Sequence, residues 1–263
     1  MPAATNDTVA YKLNGQNVCK DTVNGSYQKV YALQSYIFMY KLVQISPTKV
    51  FLIGGATDVK GTNPVNNCKM LDLSVNPLRP EEKVKMITSR ISFGACVSQD
   101  RKSIYVCGGF ASQNALLKEC EYYDVANNVW RALPDLNNAK CSMGLCEFIK
   151  NKDAIWLYSF GGITKENPKL LTEIERLSVG DSSSPGWETL SFKLPNPSCD
   201  VGCFQYAPNK IMVIGGWNKV SLLFNINMFR TPSMSLMMLM VGQKMEKVRL
   251  SLNLTTSSEL HQL

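Results

Sequence analysis

The sequence is poor in histidine, in clustered charge and in long apolar runs. Its single histidine, His261, disfavours a Ser-His-Asp hydrolase and a histidine-ligated metal centre. The 28 lysines and arginines are scattered, so the net charge of +7 predicts a solvated basic surface rather than a nucleic-acid-binding stripe. No apolar stretch approaches the roughly 18 residues needed to cross a bilayer. We therefore expect a soluble protein that binds neither nucleic acid nor membrane, and that holds no cofactor or metal.

The cysteines indicate a reducing compartment. Their number, nine, is odd, and the chain does not start with the basic and apolar segments of a secretory signal. Four residues separate Cys141 from Cys146 and three separate Cys199 from Cys203, and neither spacing is typical of zinc sites. We expect a cytoplasmic protein whose thiols are all reduced.

The strongest pattern is an internal repeat. Glycine pairs recur with steps of 54, 53 and 54 residues, and each pair ends a short run of β-branched and aromatic residues that is typical of a buried strand. Glycine at these places permits positive φ and close approach of neighbouring backbone. The pairs are Gly54-Gly55, Gly108-Gly109, Gly161-Gly162 and Gly215-Gly216.

Further strands are predicted around each glycine pair. Residues 120–125 contain Tyr123 and align with residues 68–73, and a strand containing Trp130 or Trp187 follows in two copies. One more strand precedes each pair. Each repeat thus has four short strands, which is typical of a propeller blade. The predicted blades cover residues 36–87, 91–133, 143–192 and 201–227.

In these motifs the chain resembles the kelch-repeat family, whose signature is a strand ending in Gly-Gly, a tyrosine strand and a tryptophan six or seven residues later. Residues 90–134 match best, with Gly108-Gly109, Tyr123 and Trp130. The resemblance implies an all-β, kelch-type β-propeller with about four blades of four antiparallel strands. It also implies a module that binds a protein or peptide partner.

The copies depart from the signature in several places. The first has Val84 or Met86 instead of the tryptophan, the third has Leu177 in the tyrosine position, and the fourth is short and has no tryptophan strand. Family members usually close with five to seven blades, so the propeller is expected to be partial or incomplete. Three ways of completing it stay open: the divergent ends of the chain, an oligomer, or an additional chain.

The sequence divides into three parts. Residues 1–35 carry Asn24-Gly25, a hairpin signal, and are expected to supply strands of another blade or of a closing one. Residues 36–227 hold the repeats. Residues 228–263 form a divergent, methionine-rich tail, for which a helix through Leu236, Leu239, Met240, Val248 and Leu250 and a disordered segment are both open.

The resemblance implies that a partner docks on the face bearing the loops after the glycine pairs and the loops leading into each blade. Arg90 and Lys140 occupy equivalent places there, and Phe110 and Trp217 directly follow glycine pairs. These four residues are the predicted partner-binding site, suited to an acidic peptide with an apolar anchor. The alternatives are that Arg90 bridges blades and that Trp217 covers the core. On the first hypothesis, changing Arg90 and Lys140 to glutamate abolishes binding and leaves folding intact.

Two binding functions stay open at this point. The chain is either a substrate adaptor of a ubiquitin ligase or an actin-associated cytoskeletal scaffold. A propeller enzyme is a remote alternative, because the copper oxidases among kelch-like propellers use histidine and tyrosine ligands and His261 lies outside the repeats.

Overall fold

The protein consists of antiparallel sheets. A computed structural model describes residues 11–14, 17–21, 27–32, 38–75, 77–112, 115–151, 154–165, 169–180, 184–218 and 236–240. These residues form strands and loops without an α-helix, so none of them lies in a helix that spans a membrane. The strands are β1 (Tyr11–Asn14), β2 (Asn17–Asp21), β3 (Tyr27–Ala32), β4 (Lys41–Gln44), β5 (Lys49–Ile53), β6 (Cys68–Asp72), β7 (Glu81–Lys83), β8 (Gly94–Val97), β9 (Ser103–Phe110), β10 (Leu116–Asp124), β11 (Val129–Leu133), β12 (Gly144–Asn151), β13 (Ala154–Phe160), β14 (Ile163–Thr164), β15 (Lys169–Leu170), β16 (Ile174–Val179), β17 (Glu188–Thr189), β18 (Cys199–Ala207), β19 (Lys210–Trp217) and β20 (Leu236–Met240).

Four successive sheets follow the repeat. Blade 1 is β4-β5-β6-β7, blade 2 is β8-β9-β10-β11, and blade 3 is β12-β13-β16-β17. Blade 4 has three described strands, β18-β19-β20, and β1, β2 and β3 form a separate three-stranded meander. Each sheet is antiparallel, and sequential strands pair in order. The architecture is that of a partial kelch-type propeller, as the repeat predicted.

The glycine pairs lie where the sequence predicted them, at the end of the second strand of each blade. In blade 2, Gly108 and Gly109 have φ angles of 59° and 104°, in the positive region that favours glycine. A Cβ atom on Gly109 would lie 2.6 Å from the carbonyl oxygen of Ile91. The glycines therefore provide both the backbone conformation and the close approach of the segment that leads into the blade.

The core lies between adjacent blades. Tyr123 and Trp130 of blade 2 pack against Phe51 of blade 1, with ring centroids 5.2 Å apart for Tyr123–Trp130 and 5.0 Å apart for Phe51–Tyr123. The Trp130 indole N–H donates to the Val84 carbonyl, and the Trp187 indole N–H donates in the same way to Pro134 one blade later. These tryptophans join each blade to the segment that ends the previous one, which agrees with the structural role expected of them.

Where a signature residue is missing, another apolar side chain is buried in the core between the blades. Leu177 is fully buried in the position of Tyr123 and packs in the core between blades 2 and 3. Of the two substitutes considered in the first copy, Met86 is buried between blades 1 and 2, whereas Val84 is exposed. Met86 is therefore the residue that contributes to the core.

The C-terminal helix hypothesis is wrong for the described part of the tail. Leu236–Met240 is a strand, paired antiparallel with β19 so that Leu236 lies opposite Ile214 and Met240 opposite Lys210. The edge of β19 offers a row of backbone donors and acceptors, and their pairing outweighs the helical spacing of the apolar side chains. Residues 221–226, the strand expected at this position, and Val248 and Leu250 lie outside the described residues. Completion of the propeller by an oligomer or an additional chain stays a prediction.

Candidate functional site

The residues that follow the glycine pairs and the residues that lead into each blade meet at one end of the sheets. They form short antiparallel bridges in equivalent positions: Phe38 with Ala56, Ile91 with Phe110, Cys141 with Ile163, and Cys199 with Trp217. We call the end of the blades marked by these bridges the loop face. It is the face on which the resemblance places the partner.

Backbone hydrogen bonds join neighbouring blades at the loop face. The second glycine of each pair donates its N–H to the residue that leads into the next blade: Gly55 to Arg90, Gly109 to Lys140, and Gly162 to Ser198, at 3.1, 2.9 and 2.9 Å. Arg90, Lys140 and Ser198 are thus equivalent positions, as the sequence predicted for the first two. Their side chains, however, take a direction that the sequence did not reveal.

Arg90 and Lys140 are buried, so the prediction that they form an exposed basic rim is wrong. The Arg90 guanidinium donates to the Glu121 carboxylate at 2.7 Å and to the carbonyl oxygens of Gly108 and Glu119 at 2.7 and 2.9 Å. The backbone of Arg90 bonds blade 1 while its side chain bonds blade 2, which matches the alternative that Arg90 bridges blades. Arg90 can be buried because its side chain runs inward, where two carbonyl oxygens and a carboxylate take the place of the water that would otherwise hydrate the guanidinium.

Lys140 repeats this arrangement one blade later. Its ammonium forms an ion pair with Glu175 of β16, and both side chains are almost completely buried. Glu121 also accepts the N–H groups of Ile87 and Thr88, whereas Glu175 has no hydrogen-bond donor other than Lys140 among the described residues. Reversing the charge of Arg90 and Lys140 would therefore destroy the fold, so the expectation of intact folding is also wrong.

Phe110 and Trp217 are half-buried at the loop face, where the prediction placed them. Phe110 ends β9 and Trp217 ends β19, so they belong to blades 2 and 4, separated by blade 3. Their role as partner contacts stays a prediction, and so does the alternative that Trp217 covers the core.

A groove lies at the loop face between blades 2 and 3. It has a volume of about 600 Å³ and is lined by both apolar and polar residues. Thr164 and Lys169 pair across the β14–β15 hairpin, and Lys165 and Lys169 are exposed on one wall. We call it the blade 2–3 groove; its lining residues are Ala115, Leu116, Asn138, Ala139, Thr164, Lys165, Lys169, Leu171 and Glu173.

The loops of this groove are among those that the resemblance assigns to the partner, but the side chains that line it were not predicted. Residues 110–118, 134–142 and 163–171 all contribute to it, and the last of these loops folds into the β14–β15 hairpin. The sequence signal for these side chains was the long loop after Gly162, which carries lysines at positions 165 and 169. Alternate residues of a hairpin share a face, but the register was needed to show which ones.

A second cavity, which we call the central cavity, has a volume of about 350 Å³ and lies among the first strands of the four blades, β4, β8, β12 and β18. The turn between β8 and β9 crosses its end: the Gln99 side chain donates to Gln205 of blade 4 at 2.6 Å, and Arg101 donates to the Gln44 carbonyl of blade 1 at 2.6 Å. The Gln99 N–H also donates to Glu147 at 2.6 Å, and burial raises the pKa of this carboxyl. These contacts hold the four blades in one array around the cavity.

The described residues offer no group of three or more histidine, cysteine, aspartate or glutamate side chains arranged to hold a metal ion. The central cavity does contain three thiols, from Cys96, Cys146 and Cys203. Burial raises the pKa of the Cys96 thiol well above its usual range. His261 lies outside the described residues.

Comparison with known proteins agrees with this geometry. Residues 91–137, which are blade 2 and the loop that follows it, match the family model of the kelch motif. The F-box/kelch-repeat proteins SKIP20 and SKIP30 of Arabidopsis thaliana are 32% and 30% identical to this chain over 94 and 104 residues, each 35% of the chain. The kelch repeat and BTB domain-containing protein 2 of Ectromelia virus (strain Moscow) is 26% identical over 141 residues, or 53% of the chain.

The matched regions cover 22%, 28% and 22% of these three relatives, so the chain spans about a quarter of the length of the curated proteins that it resembles. The chain carries a kelch motif, and the proteins to which it is similar are kelch-repeat proteins. A kelch motif on an all-β blade array supports interaction with other proteins.

Proposed function

We propose that this chain binds a segment of a partner protein in the blade 2–3 groove. The observation that carries the proposal is the groove itself, which lies at the loop face beside the blade that matches the kelch motif. Loops on a rigid sheet array form a binding surface whose shape is set before the partner arrives, which reduces the entropy lost on binding.

The lining of the groove favours an extended acidic segment with an apolar side chain. Leu116 and Leu171 supply apolar surface, Asn138 supplies an amide that both donates and accepts, and Lys165 and Lys169 supply positive charge. Among the described residues that line the groove, Glu173 is the single acidic one. Two exposed lysines on one wall attract carboxylates at a distance and define which way the segment lies.

The experiment is a charge reversal in the groove. Lys165→Glu with Lys169→Glu should weaken capture of partner proteins by at least about tenfold, and capture by the wild-type chain should weaken with added salt, because the attraction is partly screened. The matched control is Lys102→Glu with Lys150→Glu, which makes the same change of charge at exposed positions, one in the turn after β8 and one near the end of β12. The control should capture partners as the wild type does.

Both double variants must first show wild-type thermal unfolding, since exposed charges contribute little to stability. If the groove variant folds and captures the same partners at the same salt concentration as the wild type, then the groove is not the binding site. Phe110 and Trp217 would then be the next residues to change.

We further propose that the binding serves substrate recognition for a ubiquitin ligase. Support comes from two relatives that are F-box/kelch-repeat proteins, while a third carries kelch repeats with a BTB domain. The odd number of cysteines supports a cytoplasmic setting for this role. Identification of the captured proteins tests it: cullin components agree with the adaptor role, whereas actin or tubulin would favour the cytoskeletal scaffold.

A further inference from the structure

Two pairs of cysteines are in contact in the described part of the chain. Cys107 and Cys120 lie opposite each other across β9 and β10, and both are buried in the core between blades 2 and 3. Cys146 and Cys203 belong to different blades, on β12 and β18. The second pair lines the central cavity.

The packing of blade 4 on blade 3 places Cys146 and Cys203 against each other. Cys146 lies opposite Tyr158 within blade 3 and points into the core between blades 3 and 4, and Cys203 packs against the same core from blade 4. A Cβ atom on Gly144 would lie 3.1 Å from the Cys203 sulfur. This sulfur therefore rests on the backbone of β12, two residues from Cys146 on the same side of the strand.

We propose that Cys146 and Cys203 form a redox-active thiol pair that a small dialkyl disulfide oxidises to a disulfide bond between blades 3 and 4. The central cavity gives the oxidant access to both sulfurs. A bond here adds a covalent link between two blades that already touch through apolar packing and through hydrogen bonds between Gln205 and Ile149, so it locks blade 4 to the array.

The chemistry proceeds in two exchange steps. The half-buried Cys203 loses its proton and attacks one sulfur of the oxidant RSSR, which forms a mixed disulfide and releases one RSH. Cys146 then loses its proton and attacks the Cys203 sulfur, which forms the protein disulfide and releases the second RSH. Two thiol hydrogens and two electrons thus pass from the protein to the oxidant.

The second step should depend strongly on pH. In the dithiol form the contact with Cys203, and then burial, raise the pKa of the Cys146 thiol well above its usual range, and burial still acts on Cys146 when Cys203 carries the mixed disulfide. Few Cys146 thiolates exist at neutral pH, so the closure rate should rise about tenfold for each pH unit while the pH stays below that pKa. The chain is thus expected to be reduced as isolated and to become linked under oxidising, mildly alkaline conditions.

The experiment treats the full chain with hydroxyethyl disulfide at mildly alkaline pH, blocks the remaining thiols with iodoacetamide and maps the cysteines by mass spectrometry. The wild type should lose two hydrogen atoms and yield a linked peptide pair containing Cys146 and Cys203. Cys146→Ser should instead retain the oxidant as a mixed disulfide on Cys203. Cys96→Ser, which changes another thiol of the same cavity, should still form the link.

Three results would overturn the proposal. In one, both thiols of the wild type stay alkylatable after the treatment. In another, Cys203 is linked to Cys96. In the third, Cys107 and Cys120 are oxidised first, which would show that access through the central cavity does not select the pair. Because each variant is compared with its own untreated sample, a variant that folds poorly is recognised by the alkylation of its buried thiols before oxidant is added.

Discussion

Removal of the Lys140 ammonium provides the most direct test of how the blades are held together. Lys140→Met keeps the length and apolar stem of the side chain but leaves the Glu175 carboxylate buried without its cation. Neither Glu175 oxygen has another hydrogen-bond donor among the described residues. Breaking a buried ion pair from one side costs about 3–5 kcal/mol, so the variant should lose a large part of the stability of an ordinary domain.

The double variant distinguishes the energy of the lost ion pair from the cost of leaving one buried charge without its partner. Lys140→Met with Glu175→Leu replaces both charges by apolar groups of similar size. Such replacements are neutral or stabilise by about 1–4 kcal/mol, because two charges no longer have to be desolvated. The double variant should therefore be far more stable than the single one and close to the wild type.

Urea unfolding followed by tryptophan fluorescence measures these differences, with the slope of the transition as a check that the unfolded state is unchanged. Lys118→Met is the control, because Lys118 forms an exposed ion pair with Asp135 and should change the stability by less than about 1 kcal/mol. A loss below about 1 kcal/mol for Lys140→Met would refute the reasoning. So would a double variant as unstable as the single one.

Three further perturbations test the packing and the electrostatics. Trp130→Ala removes a buried ring and its hydrogen bond to Val84, and urea unfolding should show a loss of about 3–5 kcal/mol; a change under about 1 kcal/mol would contradict the inter-blade role. Gly109→Ala should destabilise by more than about 1 kcal/mol in the same assay, because alanine is strained at a φ of 104° and its Cβ meets the backbone. Burial raises the pKa of the Glu147 carboxyl, so the folded state binds this proton more tightly than the unfolded state, and the stability should fall as the pH rises above the ordinary value of 4.5. Thermal melts of Glu147→Gln should lack this decline. An unchanged decline would exclude Glu147 as its source.

The blade array could be predicted from sequence because its determinants are local. Double glycines at a fixed step mark where each second strand ends, since glycine adopts positive φ at the least cost. The alternation of apolar residues marks the strands, and Tyr123 and Trp130 mark the faces between blades. These signals repeat in one chain, so each copy supports the assignment of the others.

Whether a side chain at the loop face is buried or exposed could not be predicted in this way. Equivalent positions in a repeat identify the same end of each blade, but they do not distinguish an exposed cation from one that turns inward. The signal that was overlooked is a carboxylate that recurs with the cation: Glu121 in the repeat of Arg90 and Glu175 in that of Lys140, whereas Ser198 has replaced the cation in blade 4. Buried charges require partners, so charges that recur together indicate pairs.

By itself, the sequence determined the class of fold, the number of recognisable blades and the places where their backbone turns, because strand period and glycine conformation depend on neighbouring residues only. The tertiary structure alone decided which side chains are accessible. It buried Arg90 and Lys140, opened a groove beside Lys165 and Lys169, and placed Cys146 against Cys203. Each of these outcomes depends on how one blade packs on the next, and packing is set by contacts between residues that lie tens of positions apart in the chain.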